Sequence, residues 1–178
     1  RAGKGKLADV VTQIALKSGV TSIDASACDT WVSGLIIPAP TSGRAALEPL
    51  LDLYQLDSFT RGGTLMVRPR DGTSELSVDE SLLTQEPLFA TTRAQDEELP
   101  AALAITYADE LSGYELKTTE ARDETISAGR TARIATAVVL EQGEAAGRAR
   151  TILAEARVMR EQAVFGLPLV ADGLGPAS

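Results

Sequence analysis

Apolar residues at helical spacing mark the first element of the chain. Five of them share one face of a 3.6-residue period: Leu7, Val10, Val11, Ile14 and Ala15. This spacing predicts a helix over residues 7–18. Gly19 follows, at the position where a left-handed helix C-cap favours glycine. Residues 20–30 are small and polar, which indicates an extended connection.

The stretch 32–68 combines several element signals and organises the rest of the chain. A short apolar strand is predicted at 31–37, and Pro38 and Pro40 end it because proline has no donor for a strand ladder. Ser42 is then a suitable N-cap for a helix. Four apolar residues continue at helical spacing: Leu47, Leu50, Leu51 and Tyr54.

Pro49 interrupts this helical pattern. Because proline lacks a backbone donor, either the helix is kinked or its regular part begins near Ala46. Beyond it, residues 57–60 and 64–68 are predicted strands on either side of Arg61-Gly62-Gly63. This arrangement is typical of a hairpin with a three-residue, glycine-rich loop.

The second half of the chain contains mostly strand patterns. Residues 73–87 are ambiguous, residues 96–100 form an acidic turn and residues 119–130 form a polar loop. Strands are predicted at 88–93, 102–107, 113–118, 131–140 and 163–169, and a helix is predicted at 143–159. The apolar face of that helix would hold Ala145, Ala149, Ile152, Leu153, Ala156 and Met159.

The order of these elements predicts an α+β fold, because helices and strands do not alternate regularly as in a parallel α/β fold. We expect two small subdomains. Residues 1–72 would form a helix–strand–helix–hairpin unit, and residues 73–178 would form a strand-rich, barrel-like region with one long helix. The chain has no initiator Met, and it ends in GLGPAS. We expect it to be a piece of a larger protein.

Composition is that of a soluble globular protein, with 44% hydrophobic and 24% charged residues. A net charge of −8 disfavours a protein that grips phosphate backbones, because that function needs clustered Lys and Arg. The charge suits a surface past which nucleic acid slides. Neither a bilayer-spanning apolar run nor a signal peptide is recognisable in the sequence.

Candidate catalytic residues are few. The single cysteine, Cys28, excludes an intrachain disulfide and a cysteine-cluster metal site, and histidine is absent. The carboxylates of Asp79-Glu80 and Asp96-Glu97-Glu98 are interpreted as solvated turns rather than an acid/base pair. There is no nucleophile elbow, no phosphate-binding glycine loop and no EF-hand, while a Ser–Lys arrangement stays open. We therefore predict no catalytic, cofactor-binding or metal-binding residues, and no cofactor.

Arginines form two groups that allow two interpretations. Arg61, Arg68 and Arg70 surround the predicted hairpin. The last helix carries Arg148, Arg150, Arg157 and Arg160, interleaved with Glu144, Glu155 and Glu161. The first interpretation is a solvated face of mixed charge with i,i+4 pairs such as Glu144–Arg148. The second is a subunit interface, where arginine is enriched.

The same segments resemble the hub proteins at the tail tip, or baseplate, of long-tailed phages and gene transfer agents. The resemblance starts in LADVVTQIALKSGV and WVSGLII and continues through SGRAALEPLLDLYQLDSF and GGTLMVRPR. The matching positions are Val32 and Gly34 in the strand, Leu47, Leu50 and Tyr54 in the helix, and Gly62, Gly63 and Arg68 in the hairpin. Leu35 stands where the family commonly has an aromatic residue. Residues 99–107 and 131–169 resemble the family's later strands and its closing strand–helix–strand segment.

This resemblance implies a structural protein of the virion that is not an enzyme. In that family the hub is a homotrimeric ring that closes the tail tube, binds the distal tail protein and carries tip or fibre proteins. The tape measure protein is a further candidate partner, and DNA would only pass through the channel during ejection into the attached host cell. Assembly would take place in the bacterial cytoplasm. Two alternatives stay open, a cell-wall-degrading hydrolase and a carbohydrate-binding module, although few aromatics are available to stack on sugars.

Overall fold

The helices form where apolar spacing predicted them. In the computed structural model, which describes residues 4–37, 39–70, 89–95, 99–124 and 129–166, they are α1 (Leu7–Lys17), α2 (Gly43–Tyr54) and α3 (Gln142–Val158). Gly19 has a φ of 91° just beyond α1, as its position predicted. These bounds confirm the three helices that the sequence predicted.

Helix α2 begins before Ala46, the residue near which one of the two sequence alternatives placed its start. The backbone N–H of Ala45 donates to Ser42 Oγ at 3.2 Å, which confirms the N-cap. The helix therefore starts at Gly43, and a start near Ala46 is wrong. Pro49 lies inside the helix, and its ring nitrogen has no proton to donate to the carbonyl one turn earlier. A left-handed Gln55, with φ 53°, ends it.

The glycine-rich hairpin is tighter than predicted. Strands β5 (Leu56–Arg61) and β6 (Thr64–Pro69) pair in antiparallel fashion up to Arg61 opposite Thr64. The loop therefore contains only Gly62 and Gly63, not three residues. Both have positive φ values, 57° and 80°, which match the twist of a two-residue hairpin. Arg61 extends the strand because its own backbone conformation needs no glycine.

Four short strands in the first part of the chain form one two-stranded sheet and extend two larger sheets. The bounds are β1 (Gly5–Lys6), β2 (Ile23–Asp24), β3 (Trp31–Val32) and β4 (Gly34–Leu35). Strand β1 pairs with β3, and β2 lies parallel to β6. The predicted strand at 31–37 is thus two short strands in different sheets, because the chain changes partner at Ser33.

A four-stranded sheet forms the centre of the molecule, in the order β4-β10-β8-β9. Its other strands are β8 (Ala102–Asp109), β9 (Leu116–Arg122) and β10 (Thr131–Leu140). Strand β10 is parallel to β8, whereas β4 and β9 are antiparallel to their neighbours. The bounds of β10 are those predicted from its β-branched residues. A further antiparallel pair, β7 (Ala90–Arg93) and β11 (Glu161–Val164), stands apart from this sheet.

Three sequence predictions in this half need correction. The strand predicted at 113–118 is displaced to Leu116–Arg122, because Gly113 and Tyr114 adopt left-handed turn conformations. The predicted loop at 119–130 is therefore wrong over residues 119–122. The last strand begins two residues early, at Glu161. The ambiguous segment 73–87 and the acidic residues 96–98 lie outside the described residues, as do residues 167–169.

Buried side chains form a continuous apolar cluster between the helices and the central sheet. The largest fully buried members include Tyr107, Leu7, Leu50, Ile105 and Leu140. On α3, Ala145, Ala149 and Leu153 are buried as predicted, but Met159 is 58% exposed and lies beyond the helix end. The α+β class is confirmed. The sheets of the described residues stay open rather than closing into a barrel.

Strand β4 belongs to the predicted first subdomain and pairs with β10 of the second. The linker between the two segments lies outside the described residues. The division into 1–72 and 73–178 therefore stays a prediction.

Candidate assembly interface

Two candidate reactive groups in the described residues, the Cys28 thiol and a Ser–Lys pair, make structural contacts. No cluster of three Cys, Asp or Glu side chains that could hold a metal occurs among the described residues. Cys28 is 1% exposed, its thiol lies 3.5 Å from the Val67 carbonyl oxygen, and burial raises its pKa. The thiol is therefore a small packing group and not a reactive nucleophile. The carboxylates of Asp79-Glu80 and Asp96-Glu97-Glu98 lie outside these residues.

The Ser–Lys arrangement that the sequence left open occurs at Ser112 and Lys117. Lys117 Nζ lies 2.5 Å from Ser112 Oγ and 2.5 Å from Asp109 Oδ2. The hydrogen bond to Asp109 raises the pKa of Lys117, so its amine stays protonated at neutral pH. A protonated lysine cannot take the proton of Ser112. The trio is consequently an ion pair with a hydroxyl attached, and not a nucleophile with its base.

The same trio shapes the turn between β8 and β9. Asp109 is 2% exposed, and its carboxylate accepts hydrogen bonds from Ser112 Oγ at 2.7 Å and from the Leu111 N–H at 3.4 Å. A 3-10 turn at Glu110–Ser112 follows, and then Gly113 and Tyr114 at φ 64° and 66°. A left-handed tyrosine is uncommon and costs about 1–2 kcal/mol. The contacts of Asp109 therefore hold a strained turn in one conformation.

Three large apolar side chains are exposed to solvent at this turn and at the first residue of β9. Leu111 is 78% exposed, Tyr114 61% and Leu116 76%. We call these three residues the knob. A single exposed leucine is ordinary, but these three residues lie close together in the sequence and form an exposed apolar patch.

Salt bridges of Lys4 connect the turn that carries the knob to the body of the molecule. Lys4 Nζ donates to Glu141 Oε1 at 2.8 Å and lies 3.6 Å from Glu110 Oε2, which also accepts from Ser33 Oγ at 2.5 Å. The hydrogen bond to Glu141 raises the pKa of Lys4. These contacts join the turn, the β3–β4 junction and the residue before α3.

A groove of about 540 Å³ runs along the outer side of α3. Its walls include Leu56 and Pro69 from the hairpin, Tyr54 from α2, and Arg148, Ala154 and Val158 from α3. We call this feature the α3 groove. Val158 is 77% exposed at its rim, whereas Tyr54 and Leu56 are buried in its floor. The volume lies within the range of about 300–1,000 Å³ that is common for binding pockets.

Polar contacts fix the hairpin to α3 along this groove. Arg70 donates to Asp57 at 2.8 Å and to Glu155 at 3.0 Å, and Gln55 Nε2 donates to the other Glu155 oxygen at 2.5 Å. The carboxylate of Glu155 thus receives donors from the end of α2 and from the residue after β6. Because both walls are tied together, the groove keeps its width.

Tyr54 organises the other end of the groove. Its hydroxyl donates to Glu144 Oε1 at 3.1 Å, and the guanidinium of Arg148 lies over its ring at 4.3 Å. The predicted Glu144–Arg148 pair is thereby converted into two separate contacts with Tyr54. Burial is the main cause that raises the pKa of the Tyr54 hydroxyl far above its ordinary value. Sequence reasoning placed Tyr54 on the buried face but missed this role, since both partners lie about 90 residues away.

The other predicted arginines differ in their exposure and in their contacts. Arg157 donates to Asp123 at 2.6 Å and fixes the end of α3 to the residue after β9. Arg68 lies 6.0 Å from the ring of Phe59. Arg61 and Arg150 are exposed. Arg70 and Arg157 thus make ion pairs within the fold, which neither interpretation included, and the interface interpretation stays a prediction.

Further apolar surface lies on short strands and their flanks. Trp31, Ile36 and Ile37 are 43–55% exposed around β3 and β4. Phe89, Val164 and Phe165 are 47–61% exposed at the ends of β7 and β11. All eight residues of those two strands are exposed, although an isolated two-stranded sheet is marginal in water. The described helices include none that is both long and apolar enough to cross a bilayer.

Comparison with known proteins now gives these surfaces a context. Residues 42–178 match the family described as "Putative phage tail protein". A chain in the structure of the virion of a native gene transfer agent particle is 31% identical, with a TM-score of 0.90 over 98% of this chain. No curated protein sequence matches.

Two more distant structures share the fold. A tail protein from Neisseria meningitidis MC58 has 13% identity and a TM-score of 0.57 over 89% of this chain. The 43 kDa tail protein of prophage MuSo2 from Shewanella oneidensis has 12% identity and a TM-score of 0.55 over 92% of it. These two likenesses concern the fold alone.

The chain therefore belongs to this family of phage tail proteins. It spans 41% of the chain of the gene transfer agent particle, and 48% and 51% of the two tail proteins.

Proposed function

We propose that the chain is part of a tail-tip hub, a structural component of a phage-like virion that closes the tail tube. The observation that carries this proposal is the likeness to the gene transfer agent chain, at 31% identity over 98% of the sequence. As a hub, the chain forms a homotrimeric ring, binds the distal tail protein above and carries tip or fibre proteins below. It is assembled into the particle in the bacterial cytoplasm.

The character of the described surface supports this proposal. Large apolar residues are exposed on the knob, around β3 and β4 and beside β7 and β11, and the α3 groove is open. Monomeric proteins rarely leave several such patches uncovered, because each favours association by removing apolar area from water. Subunits and neighbouring tail proteins would cover them. The function then lies in these contacts, and the proposed hub needs no active site.

Charge supports the passage of DNA through a central channel. The net charge of −8 would repel the phosphate backbone and prevent retention during ejection. On this proposal acidic side chains face the channel, while the apolar patches face protein.

The proposal is tested by labelling the chain on intact particles. Gold coupled to an epitope tag, followed by electron microscopy with symmetry analysis, should place label at the distal end of the tail in threefold arrangement. Label along the tube, at the capsid or only on free protein would overturn the hub assignment. Untagged particles provide the control.

Assays of the two alternatives separate them from the hub. We expect no cleared zone when the chain is run in a gel that contains cell walls, and no retention on an oligosaccharide column. A cleared zone would establish a hydrolase instead, and specific retention would establish a carbohydrate-binding module.

A further inference from the structure

The knob is built as a rigid projection. Asp109, Ser112 and Lys117 hold its base, and the salt bridges of Lys4 fix the turn to the body of the molecule. Tyr114 keeps a left-handed backbone that a glycine would adopt at lower cost. Strained residues that present apolar side chains to solvent are typical of contact sites, because rigid anchors lose little entropy on binding.

The α3 groove offers a matching apolar surface. Leu56 and Pro69 line one side, while Ala154 and Val158 line the other. Val158 and Ala154 are exposed in the isolated chain, so a ligand side chain would remove them from water. Two or three large side chains on a turn are the type of anchor that such a groove accepts.

The knob and the apolar rim of the groove, Ala154 and Val158, lie at different ends of α3. In the parallel pair, Leu140 lies opposite Asp109, so the start of α3 is beside the base of the knob. Helix α3 then runs back along the sheet, and Arg157 reaches Asp123 at its other end. At 1.5 Å per residue, Ala154 and Val158 lie about 18–24 Å along the helix from Gln142. One copy therefore cannot place its own knob in its own groove.

Charges at the two features are complementary. Glu115, exposed between Tyr114 and Leu116, adds a carboxylate to the knob. Arg148 places a guanidinium in the wall of the groove, over the ring of Tyr54. A carboxylate entering beside Arg148 would gain a favourable interaction. The acidic knob and the net charge of −8 argue against an anionic lipid surface as the partner.

We infer that the partner of the α3 groove is a second copy of this chain, which inserts its knob of Leu111, Tyr114 and Leu116. The contact is head-to-tail, so each copy uses one knob and one groove. Head-to-tail contacts close into a ring when the rotation between copies permits it. The inference deepens the proposed function and rests on the hub being a ring of identical chains.

Complementation between two variants tests this contact. The knob variant combines Leu111→Ser and Leu116→Ser, and the groove variant is Val158→Glu, which places a carboxylate among the apolar side chains of the groove rim. All three positions are more than 75% exposed, so the monomer fold should be retained. Leu16→Ser is the matched control, since Leu16 is an exposed leucine on α1 that belongs to neither feature.

Sedimentation of the 178-residue chain gives the readout. Wild type and the Leu16→Ser control should form the same oligomer. Each interface variant alone should be monomeric, with the apparent dissociation constant raised at least about tenfold. An equimolar mixture of the two variants should give a 1:1 dimer and nothing larger. The intact knob of the groove variant still fits the intact groove of the knob variant, and no further contact remains.

The outcomes also separate this inference from the proposed function. Oligomers that are unaffected by the variants would overturn the knob contact, while threefold label at the tail tip would still support the hub. If neither the mixture nor the wild type associates at any concentration tested, the inference is overturned. Flotation of wild type with phosphatidylglycerol vesicles, lost in the knob variant, would assign the knob to lipid instead.

Discussion

Tyr54 joins α2 to α3 through one side chain. Its ring is buried at the end of α2, its hydroxyl donates to Glu144, and Arg148 covers the ring. We expect Tyr54→Phe to lower the free energy of unfolding by about 2 kcal/mol, because Glu144 loses a charge-assisted donor in a half-buried site. Urea denaturation followed by circular dichroism measures the change.

Tyr114→Phe is the matched control for this substitution. Tyr114 is 61% exposed, so its stability effect should stay within about 0.5 kcal/mol. Equal effects of the two substitutions would show that the Tyr54 hydroxyl is energetically silent.

Asp109 makes the stability of the knob depend on pH. The hydrogen bond from Lys117 is the main cause that lowers the pKa of Asp109 in the folded chain. The stabilisation is therefore complete above the unfolded pKa of about 3.9 and is lost as pH falls through the lower folded pKa. We expect the difference in Tm between wild type and Asp109→Asn to be constant near neutral pH and to close in acid.

Thermal melts recorded at pH values from about 7 down to about 2 would measure this difference in Tm. Lys117→Met should show the same closing difference, since it removes the other half of the pair. A difference that persists unchanged in acid would contradict the role given to the Asp109 carboxylate.

Single residues differ in how well their conformation and role can be predicted from the sequence. Cys28 and the Ser42 cap were predictable, because a small apolar residue and a hydroxyl before a helical pattern have few alternatives. The left-handed Tyr114 was not, since tyrosine carries no preference for positive φ and the surrounding contacts impose it. The strand prediction at 113–118 was wrong for this reason.

At the scale of elements, α1 and α2 approach each other through a glycine. A Cβ atom added at Gly43 would overlap the side chain of Ser18. We expect Gly43→Ala to lower the free energy of unfolding by about 1–3 kcal/mol, because either helix must move to relieve the overlap. Chemical denaturation would measure the loss, and Ser18→Gly in the same chain should restore much of it.

Gly147 on α3, in contrast to Gly43, has room for a side chain. A Cβ atom added there meets nothing within 4 Å. We expect Gly147→Ala to raise the free energy of unfolding by about 0.5–1 kcal/mol through helix propensity alone. A similar result at Gly43 and Gly147 would contradict the close approach of the first two helices.

Elements with strong local periodicity were predicted with nearly correct ends. Helix α1 and strand β10 each differ from their predicted bounds by at most one residue. Elements whose ends depend on pairing with distant strands were not predicted correctly. The division of residues 31–37 between two sheets follows from pairing with β1 and β10, and no local pattern encodes the change of partner.

At the scale of the whole molecule, net charge governs contact with nucleic acid. We expect no shifted band when the chain is mixed with duplex DNA at about 50 mM salt, because the charge of −8 repels phosphates. Reversing the exposed stripe on α2 by Glu48→Lys and Asp52→Lys, beside Arg44, should produce weak, salt-sensitive binding. Tight binding by wild type would contradict the channel proposal.

The α3 groove illustrates what the sequence could not supply. Its walls combine residues near 55, 70 and 150, which no motif connects. The sequence allowed an interface at the arginines of the last helix as one of two interpretations, and one of these arginines, Arg148, lines the groove. The knob was not predicted for another reason, because Tyr114 was assigned to the strand at 113–118 and lies instead in a left-handed turn, whereas Leu116 is a strand residue as predicted.

Strand β4 has a consequence for how the chain is made. It pairs with residues of β10 that lie about a hundred positions later in the sequence. At about 5–20 residues per second, a ribosome needs several seconds to deliver that partner. During this interval Gly34 and Leu35 have no strand to pair with, and the neighbouring Ile36 and Ile37 are open to other nascent chains. Slow synthesis or crowded polysomes should therefore favour aggregation of this tail protein before it reaches a particle.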